Sequence, residues 1–185
     1  MFDDRRSKKV MIVAHCLINQ NAISDGTADY PSQFNELIDL LIKKRIGILQ
    51  LPCPELTCLG LDRKDKQGGK RPLLMENTRI RGLLCEKGNI ERLQSRAEEV
   101  ATQILEYKSY GFRILGLVGV NRSPSCGTET TTKDNREVKG QGVFVELILE
   151  ACQRRGFAIE TIGVKTSEKE ESVKSLRRLI EKTDQ

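Results

Sequence analysis

Short, nearly unbroken apolar runs alternate along the chain with segments of helical periodicity. Val10 to Ala14, Ile46 to Leu51 and Ile114 to Val120 read as strands, with a weaker fourth from Phe157 to Ile162. Strands without polar alternation are those buried on both faces, as in parallel sheets. Phe34, Leu37, Ile38, Leu41 and Ile42 fall on one helical stripe behind Ser32, a plausible N-cap. A second helix is predicted from about Asn89, with Ile90, Leu93, Ala97, Val100, Ala101, Ile104 and Leu105 inward and an end before Gly111. A third follows Gly142, with Phe144, Leu147, Ile148 and Ala151 inside and Gly156 as its stop. A charged C-terminal helix over 168–182 turns Val173, Leu176, Leu179 and Ile180 to one side. Alternating strands and helices imply right-handed crossovers. The predicted fold is therefore α/β, a Rossmann-like three-layer domain with a mainly parallel sheet of about four strands, covering 1–185 as one unit.

Composition supports an ordinary globular domain: 185 residues, 38% hydrophobic and 31% charged. No segment approaches the ~18 consecutive apolar residues of a membrane span, and the charged start leads into no signal-peptide core. A reducing, cytoplasmic setting is expected, in which six cysteines are kept for metal binding or catalysis rather than for bridges. The net charge of +5 is unevenly spread: residues 62–81 hold seven cations (Arg63, Lys64, Lys66, Lys70, Arg71, Arg79, Arg81) against three acids. With Gly68, Gly69 and Pro72 inside it, this stretch reads as a mobile basic loop, either solvated or facing an anion such as phosphate or RNA. C-x-x-C pairs, a P-loop and a G-x-S-x-G elbow are absent.

Three cysteines follow three strands. Cys16 and Cys53 each lie two residues beyond a strand, and Cys126 sits in the Asn121-Arg122-Ser123-Pro124-Ser125-Cys126-Gly127 loop after the third. If those strands are parallel, all three thiols gather at the carboxyl edge of one sheet, where open α/β sheets bind ligands. Three thiolates suit an iron-sulfur cluster or a soft metal ion, and a missing fourth protein ligand leaves a position open to substrate. Cys58 is a possible fourth ligand, whereas Cys85 and Cys152 read as small buried hydrophobes. His15, the single histidine, is expected to point away from Cys16 along an extended segment, which weakens a cysteine-hydrolase reading. Glu55 would stand beside the metal, as a proton relay if burial raises its pKa or as an acceptor for a backbone amide. Asn121, Ser123 and Ser125 supply hydrogen-bonding groups, and Lys139-Gly140-Gln141-Gly142 opens a helix whose free N–H groups could hold an anion.

Taken together, Cys16-Leu17, Asp25-Gly26, Cys53-Pro54-Glu55, Gly60-Leu61 with Arg63, Ser123-Pro124-Ser125-Cys126-Gly127 and Gly140 to Gly142 resemble the thiouracil desulfidase family, over roughly residues 9 to 163. The resemblance implies a [4Fe-4S] cluster held by Cys16, Cys53 and Cys126, with the fourth iron open to the sulfur of a thiolated nucleobase. It further implies non-redox desulfuration, with Glu55 and Ser123 or Ser125 handling protons, and with Asn121, Asp25 and Arg63 as substrate contacts. The first loop departs from the commoner members, which carry a second cysteine followed by Arg-Tyr-Asp-Gly. Here it reads Gln20-Asn21-Ala22-Ile23-Ser24-Asp25-Gly26. Cys58 and the basic insertion are also atypical, marking a divergent branch. Two other readings keep the same residues: an iron-sulfur or metal module that binds RNA through the basic loop, and a zinc hydrolase with a three-cysteine site.

Overall fold

The computed structural model describes residues 2–183. The chain runs β1 (Lys9–Val13), α1 (His15–Ile18), α2 (Asn35–Lys43), β2 (Gly47–Gln50), α3 (Pro54–Leu59), α4 (Leu73–Leu84) and α5 (Lys87–Ser109). It continues with β3 (Arg113–Val120), β4 (Thr130–Lys133), β5 (Arg136–Lys139), α6 (Val143–Arg154), β6 (Thr161–Val164) and α7 (Lys169–Thr183). Four strands form an all-parallel sheet in the order β2-β1-β3-β6. Helices α5 and α6 pack on one side, α2 and α7 on the other, the three-layer α/β arrangement. Because β1 and β3 are central, Met11, Ile12, Val13, Leu115, Leu117 and Val118 are wholly buried, which explains why their sequences show no polar alternation.

The strand order reverses between β1 and β3, so a crevice opens at their carboxyl ends. Val13 is level with Gln50 on one side and Val118 on the other. The ladder closes just beyond, where Leu51 N–H donates to Val13 (2.9 Å) and Ala14 N–H to Val118 (2.9 Å). Cys16 and Cys53 therefore leave the sheet at the same height.

Several elements differ from the sequence expectation. The last strand is Thr161–Val164 rather than Phe157–Ile162; Gly163 interrupts its apolar run because a Cβ there would lie 1.8 Å from Asn121 Oδ1. Phe34, not Ser32, caps α2. The buried stripe of α2 passes through Leu37, Leu40 and Leu41, which leaves Ile42 63% exposed. The expected mobile basic loop is largely folded: residues 73–81 belong to α4, with Pro72 at its N-cap, and Gly68–Lys70 form a 3-10 turn. Glu76 and Asn77 lie on the buried side of α4 beside Ile80 and Leu84, and polar residues on that face hide the helical period. The antiparallel β4–β5 hairpin was also not anticipated; its turn holds Asp134 (φ 51°) and Asn135 (φ 57°) left-handed, as a two-residue hairpin turn requires.

Candidate functional site

Past the sheet edge each cysteine is held by local structure. Cys16 lies in the short helix α1. Cys53 is the N-cap of α3, where its Sγ accepts from Leu56 N–H at 3.4 Å and Pro54 opens the first turn. Cys126 is buried in its loop, which is clamped by the start of α6: Val143 N–H donates to Pro124 (3.0 Å), and Phe144 and Val145 N–H donate to Ser125 (3.0 and 3.2 Å). Those N–H groups are thus spent on the cysteine loop and are not free for an anion. Gly142 permits the approach, since a Cβ there would sit 2.4 Å from the Ser125 carbonyl carbon. All three thiols line one cavity of about 300 Å³.

Burial pushes each thiol up. Cys16 rises to about 12, first through desolvation and then through the neighbouring Cys53 and Glu55. Cys126 rises well above the usual thiol value by the same desolvation, reinforced by Cys16 and Cys53. Cys53 is raised too, by burial and then by Glu55. Three thiols whose negative charges would oppose one another are a donor set that a cation or cationic cluster relieves. Among the described residues, no three His, Cys, Asp or Glu group tightly enough to hold a single metal ion. A polynuclear cluster binds each thiolate to a different iron, and three cysteine thiols on one cavity wall are soft donors of the kind that hold such a group.

Glu55 stands on the first turn of α3, 7% exposed, with both oxygens engaged. Ser125 Oγ donates to Oε1 at 2.6 Å. Arg63 Nε and Ser24 Oγ donate to Oε2 at 3.0 and 3.1 Å. Ser123 Oγ accepts from Cys126 N–H (3.0 Å) and Ser125 N–H (3.3 Å) and lies 3.2 Å from Ser125 Oγ. With its acceptor sites so occupied, the Ser123 proton is left for Ser125, whose own proton goes to Glu55. The hydroxyls are therefore oriented in one direction, toward the carboxylate.

The remaining sequence candidates separate into three groups. Asn121 lines the cavity, but its carboxamide is committed: Oδ1 accepts from Glu129 and Thr130 N–H and Nδ2 donates to Glu129 Oε2. Arg63 also lines it, yet is 2% exposed and donates to Glu55, Gly60, Leu61 and Ala22. Asp25 is exposed and not part of the cavity wall; its carboxylate rests against Gly69. Cys58 packs in the hydrophobic core and does not line the cavity, and Cys152 is fully buried. Cys85, expected inside, is exposed at the end of α4. His15 opens α1 rather than continuing the strand, so it shares the cavity wall with Cys16 while its Nδ1 pairs with Gln50 Nε2 at 3.0 Å.

Sequence reasoning missed Ser24, Asn77, Arg122 and the Lys165–Thr166–Ser167 segment, all of which line the cavity. The last could have been found by the signal used for the cysteines, position just beyond a parallel strand. The cations of 62–81 are partly neutralised within the segment: Arg71 pairs with Asp65 (2.6 Å) and Glu76 (3.1 Å), and Arg79 with Glu76.

Fold and cavity define a parallel α/β domain with three thiols and a hydroxyl-linked carboxylate at its switch point. No family model matches the chain. The uncharacterized protein MJ0003 of Methanocaldococcus jannaschii is 28% identical over 177 residues, 95% of this chain and 99% of its own. Among solved structures, the [4Fe-4S]-dependent thiouracil desulfidase TudS overlaps 92% of this chain and 99% of its own, at 19% identity and a TM-score of 0.43. No helix among the described residues is long and apolar enough to cross a membrane.

Proposed function

We propose that the protein is an iron-sulfur desulfidase that replaces sulfur by oxygen in a small thioamide-like compound such as a thiolated nucleobase. The observation that carries this reading is the convergence of Cys16, Cys53 and Cys126 with the Ser123–Ser125–Glu55 chain on one cavity. The desulfidase-like motifs of the sequence fall on these same residues.

Cys16, Cys53 and Cys126 would hold a [4Fe-4S] cluster. When bound, such a cluster supplies an iron without a protein ligand, a Lewis acid for soft sulfur. The chain itself orients donors and moves protons. The net change is C=S plus water to C=O plus hydrosulfide and a proton, so a base must take a proton from water. Ser123 and Ser125 point their hydroxyl protons toward Glu55 and give it that role. Arg63 offsets the burial of the carboxylate from the side away from Ser125.

The test is anaerobic incubation of cluster-loaded protein with 2-thiouracil and related thiolated bases, following oxo base and hydrosulfide together. Equal release of both is expected, and Glu55→Gln should slow it by about 10²- to 10⁴-fold with the cluster retained. A loaded protein that converts none of these compounds contradicts the reading.

A further inference from the structure

Two arginines in the site have left-handed backbones, an uncommon conformation for a bulky side chain. Arg63 (φ 51°) follows the Glu55 helix, and Arg122 (φ 69°) enters the Cys126 loop. Lys64 is left-handed as well (φ 65°), so the first turn carries two such residues in a row. Strain of this kind persists only where surrounding structure enforces it.

Both turns take side-chain hydrogen bonds from one element, α4, and β4 also holds the second, where Thr132 Oγ1 donates to the Arg122 carbonyl at 2.6 Å. Arg79 of α4 donates Nη2 to the Arg63 carbonyl at 2.9 Å. Asn77, two residues earlier, donates Nδ2 to the Arg122 carbonyl and to Thr132 Oγ1, each at 3.2 Å. Arg81, two residues later, donates Nη1 to the Pro124 carbonyl (3.2 Å) and Thr131 Oγ1 (3.3 Å). Glu76 completes the set by pairing with Arg79 and Arg71; Arg79 above all pulls its carboxyl below the ordinary range. The brace thus reaches the Glu55 side through Arg79 and the Ser125 side through Asn77 and Arg81.

We infer that α4 is the positioning element of the site. Its Asn77, Arg79 and Arg81 hold the Arg63 turn and the Cys126 loop at the separation that brings Glu55 and Ser125 into contact. Arg63 acts within this brace: its guanidinium links Glu55 to Ala22, Gly60 and Leu61, so it positions the carboxylate and does not touch substrate. Arg79 and Arg81 are therefore not counter-charges for an anionic ligand. They bear on catalysis without lining the cavity.

The kinetic part of this inference rests on the desulfidase reading, whereas its structural part does not. The experiment takes the full chain as wild type, Arg79→Ala, Arg81→Met and Arg63→Lys, with the Glu carboxyl carbons labelled for nuclear magnetic resonance. The Glu55 signal is assigned by its loss in Glu55→Gln. In each of the three brace variants it should shift while the fold is retained, and an unmoved signal in Arg79→Ala and Arg81→Met overturns the inference. In cluster-loaded protein Arg79→Ala should lower kcat about tenfold with KM within about twofold, as expected for loss of transition-state geometry. On a Ser125→Ala background the same substitution should have little further effect, because the contact it sets is already gone. A raised KM at unchanged kcat in Arg63→Lys would instead make Arg63 a substrate contact. If no thiolated base is turned over at all, the desulfidase reading fails and the carboxyl signals still decide the brace.

Discussion

Ser125 Oγ lies 2.6 Å from Glu55 Oε1, although the two residues stand 70 positions apart. The contact joins the first turn of α3, after β2, to the loop after β3, and with them two of the three candidate ligand cysteines. A carboxylate, a directed pair of hydroxyls and three thiols thus share one cavity wall.

Replacement of Cys16, Cys53 or Cys126 by Ala should abolish cluster retention. Cys58→Ala and Cys85→Ala should leave it intact, since neither lines the cavity. The visible absorption of anaerobically reconstituted variants reads this directly. Loss of the chromophore in Cys58→Ala with the fold unchanged would require a different ligand set.

Glu55→Gln leaves the buried Arg63 charge without its partner. Breaking such a pair from one side typically costs about 3 to 5 kcal/mol. Urea unfolding should show this loss, and Glu55→Gln with Arg63→Met should recover part of it. Equal stability of Glu55→Gln and wild type would mean that the pair does not form in solution.

Gly142→Ala should be destabilising by about 1 to 3 kcal/mol, through overpacking against a backbone that cannot move aside. The added Cβ would meet the Ser125 carbonyl and the Cys126 nitrogen at 2.6 and 2.7 Å. Gly88→Ala, with open space around it, is the control. Similar midpoints for the two variants would contradict the tight docking of the cysteine loop on α6.

The metal-free protein should lose stability as pH rises above 9. Folding raises the Cys16 thiol from 9.0 to about 12 through burial and then Cys53. Between these values the unfolded chain has released a proton that the folded chain keeps. Stability is therefore complete below pH 9 and falls by about 1.4 kcal/mol per unit for each such thiol. Denaturation midpoints from pH 7 to 11 test it, and a Cys16→Ala variant should show a shallower decline. A wild-type midpoint that stays flat would place these thiols in a more open site.

The sheet and the cysteine trio were legible because both depend on uninterrupted apolar strands. Val10–Ala14 and Ile114–Val120 announce β1 and β3 in their composition, and the segments that follow parallel strands, which carry Cys16, Cys53 and Cys126, lie at the carboxyl edge of the sheet. What could not be read depends on contacts between distant segments. The buried face of α4 carries Glu76 and Asn77; Glu76 is paired by nearby Arg71 and Arg79, while Asn77 finds Thr132 and the Arg122 carbonyl far along the chain, so the pattern resembles a charged loop. Arg63 has the composition of a surface cation, and only its four internal acceptors reveal that it is buried. Ser24 had no signal of its own, since its meaning comes from Glu55, 31 residues away.

The most direct test of the account is the iron, acid-labile sulfide and zinc content of protein purified without oxygen, measured beside Cys53→Ala. The account predicts about four irons and four sulfides per chain, as for a [4Fe-4S] cluster, lost in the variant. Zinc alone in a colourless protein, or neither metal after reconstitution, would contradict it.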